Sequence, residues 1–216
     1  MRRLLSWKSV LVCLLAVAAV VVGYYSVAVV EARNKTPGIV ASYYSSGAIK
    51  IPAKSLSARQ LEILLKVEDP SFYEHHGVDF KTPGAGWTTI TQALAKQFYF
   101  AEFRQGPMKI AQTLYARFAL DPLVSKQQQL DIFINTLYYG NGTYGLLDAA
   151  RYYYGKTPGE LSEDEIISLS GSLIAPDQLN VEDHPEENSE RVRRIKAMLD
   201  GTYTPKGLFD ITYDRK

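Results

Sequence analysis

One glutamate occupies a position at which a carboxyl group could carry out acid–base chemistry. Glu68 follows Leu61 by seven residues, Leu64 by four and Leu65 by three, so these side chains share one apolar face of a helix that ends before Pro70. A carboxyl group on such a face loses part of its hydration, which raises its pKa and makes it a usable general base or acid near neutral pH. The alternative is a structural glutamate that caps a neighbouring helix or pairs with an arginine.

Polar and basic side chains after Glu68 could hold an anionic group. Hydroxyls and an amide stand at the start of a predicted helix: Thr88, Thr89, Thr91 and Gln92. Three cations follow within fourteen residues: Lys96, Arg104 and Lys109. A helix N-terminus favours anionic or sugar-hydroxyl ligands, and the cations could neutralise a phosphate or pyrophosphate leaving group. The alternative for the cations is a solvated basic face.

Metal and disulfide chemistry have little support. His75 and His76 are adjacent but have no third soft ligand nearby, so they make a poor zinc set. Cys13 is the single cysteine, which excludes a disulfide framework and every multi-cysteine zinc pattern.

The composition is that of a folded, nearly neutral protein. Of the 216 residues, 46% are hydrophobic, and 24 basic residues balance 23 acidic ones. Wholesale disorder is therefore excluded, and no global charge attracts nucleic acid. Residues 157–190 hold ten acidic residues and no Lys or Arg. We interpret this run as a solvated face in which Pro176, Asp183 and Pro185 mark loops.

The N-terminal segment predicts a membrane anchor. From Val10 to Val30 the chain has 21 residues without a charge, which is long enough to cross a bilayer. Three basic residues precede it: Arg2, Arg3 and Lys8. The positive-inside rule therefore predicts a cytoplasmic N-terminus and an outer domain after Glu31. A signal peptide cleaved near Ser26-Val27-Ala28 is the alternative, although the apolar stretch is longer than such signals usually have. We expect an anchor over residues 1–31 and one domain over residues 32–216.

The elements that must position the candidate residues are mostly helices. Capping-box patterns mark three helix starts: Ser57 with Gln60, Ser125 with Gln128, and Ser162 with Glu165. Further helices are predicted from Thr88 as cap to Phe100, from Pro107 to Asp121-Pro122, and from Ser189 to Asp200. Alternation over residues 38–51 predicts a short hairpin. The outer domain is therefore expected to be mainly α.

Four ordered sequence blocks resemble the peptidoglycan glycosyltransferases, the family 51 transglycosylases. The blocks are Glu68-Asp69-x-x-Phe72-x-x-His75-x-Gly77, Gly86-x-Thr88-Thr89-Ile90-Thr91-Gln92-x-Leu94-x-Lys96, a Lys109-containing helix, and Ile134-Asn135-x-Leu137-Tyr138-Tyr139-Gly140. The segments Ala149–Lys156 and Arg191–Met198 are similar to later parts of that family. The resemblance spans about residues 60 to 200.

The resemblance implies a lysozyme-like, mainly helical fold that polymerises lipid II at the outer face of the bacterial cytoplasmic membrane. It implies that Glu68 is the general base and that Lys96, Arg104 and Lys109 hold the pyrophosphate. The other implied substrate-binding residues are Thr89, Gln92, Gln112 and Asn135. No tightly bound cofactor is expected, although a divalent cation, Mg²⁺ or Mn²⁺, often assists in this family. The implied partners are lipid II, the membrane and other cell-wall synthesis proteins, with no nucleic acid.

The chain also departs from the family pattern. Gln112 stands where the family carries a second Glu, and Gln128 or a neighbouring Gln replaces a further Glu, so two anionic positions have become amides. The segment between Asp79 and Gly86 is shorter than the family's mobile jaw. Since no Ser-x-x-Lys motif occurs, we expect no transpeptidase domain.

Three hypotheses follow from these patterns. The first is a monofunctional transglycosylase that uses Glu68 with an altered donor site. The second is a non-catalytic relative that binds lipid II or a cell-wall partner, which the amides at Gln112 and Gln128 favour. The third is a lysozyme-like hydrolase, which needs only one acidic residue but leaves the cation cluster unexplained.

Overall fold

The first helix of the protein is also its longest. In a computed structural model, which describes residues 7–214, α1 runs from Trp7–Ser45 and holds 39 residues. Within the described chain it is the one helix long and apolar enough to cross a membrane, and its most apolar stretch is not covered by any other part of the protein. Arg2 and Arg3, on which the predicted orientation partly depends, lie outside the described residues.

The outer half of α1 packs directly on the domain. The Arg33 guanidinium donates a hydrogen bond to the carbonyl of Phe118 at 2.8 Å, and the hydroxyls of Thr36 and Tyr99 lie 2.7 Å apart. Thr36 is fully buried in this contact. The helix therefore continues across the predicted domain boundary at residues 31 and 32 without a break.

Eight further α-helices are described after α1. They are α2 (Ala58–Glu68), α3 (Ile90–Tyr99), α4 (Pro107–Tyr115), α5 (Lys126–Thr136), α6 (Leu146–Tyr154), α7 (Glu163–Ser172), α8 (Pro176–Leu179) and α9 (Pro185–Leu199). A π-helical segment, Ala116–Leu120, extends α4, and short 3-10 turns lie at Ala53–Ser55 and Pro158–Glu160. Strand pairing within residues 7–214 is limited to one isolated bridge between Tyr138 and Tyr144. The predicted mainly α fold is thus confirmed.

The predicted capping boxes are all present. Ser57, Ser125 and Ser162 each accept a hydrogen bond from the backbone N–H three residues later, while that residue's side chain accepts from the cap. These bonds satisfy backbone donors that a helix start leaves without partners, which is why the pattern locates the start so well.

The core forms where the apolar faces of these helices meet. α2 packs on α7, α7 packs on α9, and α3 packs on α4 and α5. Fully buried side chains come from α2, α3, α5, α7 and α9: Ile63, Leu64, Leu94, Leu130, Ile134, Ile167 and Ile195. Glu68 thus ends a helix whose other face is fixed in the core.

The predicted hairpin over residues 38–51 is wrong. Residues up to Ser45 continue α1, and those that follow form a turn and an extended segment. The alternating pattern was misleading because Val40 is buried and Tyr43 stacks on Phe98 of α3 at 5.5 Å, so one helical face is covered by the domain. Tertiary packing therefore outweighs the strand propensity of this segment.

Several helix starts also differ from prediction. Thr89 rather than Thr88 caps α3, because its side chain accepts from the Gln92 N–H. Pro176 and Pro185 do not mark loops but occupy the first positions of α8 and α9, where proline needs no N–H partner. The last predicted helix accordingly begins at Pro185 instead of Ser189.

The acidic run of residues 157–190 lies within and around α7, α8 and the start of α9. Several of its carboxylates form ion pairs with residues outside the run, namely Glu163 with Arg59 of α2, Asp164 with Lys196 of α9, and Glu165 with Lys156 just after α6, each at 2.7 Å. These partly exposed pairs lie at the domain surface, so the run serves local contacts between helices.

Residues 202–214 form a C-terminal segment that no periodic sequence pattern predicts. Tyr203 and Tyr213 are buried, and the carbonyls of Gly207 and Leu208 accept hydrogen bonds from the N–H groups of Gly84 and Gly86 at 2.9 and 2.7 Å. This C-terminal segment therefore braces the loop between α2 and α3.

Candidate functional site

A groove of about 620 Å³ lies between the end of α2, the start of α3 and the loop after α5. Ionisable and polar residues that line it include Glu68, Thr88, Thr89, Lys96, Gln97, Thr136, Tyr138 and Arg191. The groove thus brings together the predicted base and one of the predicted cations.

Glu68 is the last residue of α2 and lies partly buried against the groove. Its carboxylate forms no hydrogen bond or ion pair with a side chain or backbone group of residues 7–214, and the only charges that act on its pKa are those of Arg191 and Asp69. Burial and, to a smaller extent, the neighbouring charge of Asp69 raise its pKa to about 7, against an opposing effect of Arg191. A carboxyl group with this pKa can take up a proton from a substrate near neutral pH.

The residues after Glu68 hold the start of α3 beside it. The buried Asp69 carboxylate accepts a hydrogen bond from the Ile90 N–H at 2.9 Å and contacts His75 Nε2 at 2.9 Å. Since His75 Nδ1 accepts from the Gly77 N–H at 3.1 Å, we assign the proton to Nε2, which donates to Asp69. Asp69 and His75 thus have a structural role.

Arg191 of α9 is a groove residue that the sequence analysis did not place in the site. Its guanidinium is buried and donates to the carbonyls of Ile211 and Gly171, at 2.7 and 3.4 Å. It also lies over the Tyr213 ring at 4.8 Å. Its charge favours the ionised form of Glu68 without forming an ion pair. The one sequence signal for Arg191 is that the segment Arg191–Met198 is similar to a later part of the transglycosylase family.

Two lysines supply positive charge at the α3 side of the groove. Lys96 lines the groove, and Lys109 Nζ donates to the Thr88 hydroxyl at 2.9 Å. Burial and the positive charge of Lys96 lower the pKa of Lys109, which shows that the two ammonium groups act on each other. An anion placed between them would relieve this repulsion.

Arg104 is not brought into the groove. It lies on the loop between α3 and α4, with its side chain exposed and paired with Glu102 at 3.3 Å. Lys96, Arg104 and Lys109 therefore do not form one cluster, because the loop between α3 and α4 places Arg104 in solvent.

Gln92 and Gln112 join α3 to α4 instead of facing the groove. Both are buried; Gln92 Nε2 donates to the Thr113 hydroxyl at 3.0 Å, and Gln112 Nε2 donates to the Gln92 carbonyl at 2.7 Å. The Gln112 Oε1 atom has no hydrogen-bond partner among the described residues. Thr89, which lines the groove, also caps α3 and donates to the Gly77 carbonyl at 2.8 Å.

Asn135 connects α5 to the segment that follows α1. Its side-chain oxygen accepts from the N–H groups of Lys50 and Ile51, and its amide donates to the carbonyls of Ile51 and Asp131 at 2.7 Å. Since the amide uses its hydrogen bonds on the backbone, the geometry favours a structural role over substrate binding.

The groove does not offer a set of ligands suited to Mg²⁺ or Mn²⁺. Glu68 is the one carboxylate among the described lining residues, and the nearby positive charge of Arg191 acts on it. That charge would repel a second cation. Gln128 caps its own helix, and the buried carboxylate of α5 is Asp131, which accepts from the Ala53 N–H at 2.7 Å. No group of three or more potential metal ligands occurs within residues 7–214. The fit to a hard divalent cation is therefore poor.

The fold and the groove define a class of helical domain, joined to a candidate membrane span, that presents the carboxyl group of Glu68 and the ammonium group of Lys96 in one groove. Residues 39–200, which are most of the chain, match the model of the family described as Transglycosylase. The chain therefore belongs to the transglycosylase family.

The chain is similar to part of each of two penicillin-binding proteins. The chain is 31% identical to Penicillin-binding protein 1F of Bacillus subtilis (strain 168), over 74% of this chain and 24% of that protein. It is 30% identical to Penicillin-binding protein 1A of Escherichia coli (strain K12), over 81% of this chain and 22% of that protein. The chain thus spans about a quarter of the length of these relatives.

Proposed function

We propose that the protein is a membrane-anchored peptidoglycan glycosyltransferase that polymerises lipid II, with Glu68 as general base. The observation that carries the proposal is the shared groove of Glu68 and Lys96, in which the pKa of Glu68 is raised to about 7. Membership of the transglycosylase family supports the reaction class.

The proposed reaction is a displacement at the anomeric carbon of the donor sugar. The Glu68 carboxylate takes the proton from the acceptor's 4-hydroxyl group, whose oxygen then forms a bond to the anomeric carbon. The bond from that carbon to the pyrophosphate oxygen breaks, and the undecaprenyl pyrophosphate leaves with the bonding electrons. Lys96 and Lys109 stabilise the charge that develops on the leaving group. This step needs one general base, Glu68, and does not require a second carboxylate.

The membrane span supports a lipid-linked substrate. α1 passes from its apolar stretch into the domain as one helix, so the groove is held at a fixed position relative to the span. We propose that the span is retained in the bacterial cytoplasmic membrane with the groove on the outer side. Substrate would then reach the site by diffusion within the bilayer.

The proposal is tested by incubating the purified full-length chain with lipid II and separating the glycan products by size. We expect polymer from the wild type and a loss of about 10²- to 10⁴-fold in rate for Glu68→Gln, the usual effect of removing a general base. Glu62→Gln is the matched control, because Glu62 lies on the same helix but is exposed and pairs with Arg59 at 3.1 Å.

A second candidate function is binding of lipid II without catalysis. The observation that favours it is the buried Gln112, which replaces the second family carboxylate and joins α3 to α4. Saturable binding of lipid II with no polymer in any condition, with or without Mg²⁺, would support this function. Cleavage of preformed glycan would instead support a hydrolase.

A further inference from the structure

Two aromatic side chains stack on each other at the edge of the groove. The Trp87 and Phe209 ring centroids lie 4.8 Å apart with an angle of 28° between the ring planes. Both remain largely accessible, since Trp87 is 60% exposed and Phe209 is 54% exposed. Phe209 covers one face of the Trp87 indole, so the remaining exposed surface of Trp87 is available to a ligand.

The backbone holds this pair in place before any ligand binds. The Gly84 and Gly86 N–H groups donate to the Gly207 and Leu208 carbonyls, which are the residues directly before Phe209. Trp87 follows Gly86 directly, so each ring is one residue from a hydrogen bond between the two segments. A binding surface that is already formed loses little conformational entropy when it is used.

The surroundings of Trp87 distinguish between ligand classes. Trp87 lines the same groove as Glu68, together with uncharged polar side chains: Thr88, Thr89, Gln97, Thr136 and Tyr138. These groups have protein partners, such as Lys109 for Thr88 and Asp177 for Tyr138, but hydroxyl and amide groups can form further hydrogen bonds. A hydrocarbon chain would exclude water from them and supply no such bond, which is unfavourable. A ligand with one apolar face and a polar edge would satisfy both surfaces.

We propose that Trp87, supported by Phe209, is a stacking platform for a pyranose ring of the glycan substrate. A pyranose ring presents axial C–H groups on its faces and hydroxyl groups on its edge, which matches an aromatic face bordered by neutral polar groups. The pyrophosphate would lie at Lys96 and Lys109, so the platform is assigned to the sugar alone. This inference rests on the proposed function, because it takes the groove to bind glycan.

The platform depends on a part of the chain outside the family match. The match covers residues 39–200, whereas Phe209 and the groove residue Ile211 follow it. The C-terminal segment thus supports a sugar contact that the short loop between α2 and α3 makes. Phe209 is a positioning residue, since it stacks on the Trp87 ring but does not line the groove.

The test uses Trp87 as its own reporter. The chain has two tryptophans, Trp7 and Trp87, so Trp7→Phe leaves a single indole at the platform. We would titrate chitotetraose into the detergent-solubilised full chain carrying Trp7→Phe and Glu68→Gln, which prevents turnover. We expect a saturable change in Trp87 fluorescence, and about tenfold weaker binding when Phe209→Ala is added.

A matched control and a second variant keep the test decisive. Phe80→Ala removes an aromatic side chain that is 55% exposed and does not line the groove, so it should leave the affinity unchanged. Calorimetric titration of Trp87→Phe should show most of the affinity retained, and Trp87→Ala about a tenfold loss.

Two outcomes would overturn the platform. One is a failure of chitotetraose to bind at Trp87. This failure would appear as no saturable change in Trp87 fluorescence, or as equal calorimetric affinities of the wild type and Trp87→Ala. The other is a loss of binding to phosphatidylglycerol vesicles in Trp87→Ala with unchanged chitotetraose binding, which would assign the ring to lipid. The sugar titration uses a variant that cannot turn over substrate, so its result does not depend on polymerisation. If chitotetraose binds as expected but the wild type forms no polymer from lipid II, the proposed function is contradicted and the platform is not.

Discussion

At the scale of single residues, the unusual property of this protein is a partly buried carboxyl group, that of Glu68, which has no direct ion pair among the described residues. Burial is the largest cause of the raised pKa of Glu68, the Asp69 charge adds to it, and the Arg191 charge opposes it. An ion pair would have fixed Glu68 as an inert anion, whereas burial alone would have raised its pKa further. The balance leaves a base that titrates near neutral pH.

The raised pKa predicts that Glu68→Gln stabilises the fold at alkaline pH. The pKa of Glu68 is about 7 in the folded state against an ordinary value of 4.5. Its contribution to stability is therefore complete below about pH 4.5 and is lost as the pH rises through 7. Glutamine imitates the protonated form, so we expect a Tm about 2–4 °C above wild type at pH 8. Thermal unfolding at pH 4 should show no such gain, and a lower Tm for the variant at pH 8 would contradict the assignment.

Replacing Arg191 should move the pH dependence of activity. Arg191→Gln removes the positive charge that holds down the pKa of Glu68, so the acid limb of kcat/KM should shift upward by about one pH unit. Arg191→Lys retains the charge and should shift it less. Arg194→Gln, which alters an arginine of the same helix paired with Glu190, should leave the limb in place. An unshifted profile in Arg191→Gln would mean that Arg191 only packs.

The sequence predicted some of these residues better than others. The helical spacing placed Glu68 correctly, because a stripe of leucines fixes the direction of a side chain seven residues later. Thr89 and Gln92 have the same capping-box spacing as Ser57 and Gln60, and that spacing indicates the capping contact of Gln92 that the structure shows. Arg191 could not be placed, because its approach to Glu68 depends on how α9 packs near α2.

At the scale of elements, the loop after α2 depends on a close backbone contact. Gly77 has a φ of +85°, and a Cβ atom there would lie 2.6 Å from the Ala116 carbonyl oxygen of the π-helical segment. Its own carbonyl accepts from the Thr89 hydroxyl at 2.8 Å. Gly77 therefore joins the loop after Glu68, the start of α3 and the end of α4.

We expect Gly77→Ala to destabilise the fold by more than its backbone strain alone. Gly155→Ala is the control, because Gly155 also has a positive φ of 65° but open space around it. The control should cost about 1 kcal/mol, and Gly77→Ala about 2–4 kcal/mol, since the carbonyl of Ala116 must move. Urea unfolding of the full chain would measure both. Equal effects would show that the contact is not close.

Elements were predictable where the signal was local. Serine capping boxes and Pro107 located helix starts because the bonds involved lie within one turn. The continuation of α1 through residues 38–45 was not predictable, since it depends on α3 and α5. Tyr43 stacks on Phe98 and the Tyr44 hydroxyl donates to Asp131 at 3.0 Å.

At the scale of the whole molecule, the two ends of the described chain position the groove. α1 joins the candidate membrane span to the α3 and α4 side of the domain. The C-terminal segment binds the loop between α2 and α3 and accepts the Arg191 hydrogen bond at Ile211. Neither effect could be predicted from sequence, because residues 202–214 carry no periodicity and make their contacts through backbone atoms.

Removal of residues 202–216 should loosen the groove more than it loosens α5. Gly84 and Gly86 would lose their hydrogen-bond acceptors, so amide exchange in the peptide around residues 82–88 should accelerate by at least about tenfold. Exchange in α5 should not change, because α5 packs on α3 and α6 instead. Hydrogen-exchange mass spectrometry on the full-length and truncated chains would test this. Unchanged exchange at residues 82–88 would contradict the bracing role.

The most direct test of Glu68 as general base is the pH dependence of kcat/KM for lipid II polymerisation. With a pKa of about 7 for Glu68, the rate constant should fall about tenfold for each pH unit below 7. Glu68→Gln should polymerise about 10²- to 10⁴-fold more slowly than the wild type near neutral pH, while Glu62→Gln should follow the wild-type profile. A wild-type profile that stays flat down to pH 5, or polymer formed by Glu68→Gln at the wild-type rate, would contradict the role of Glu68.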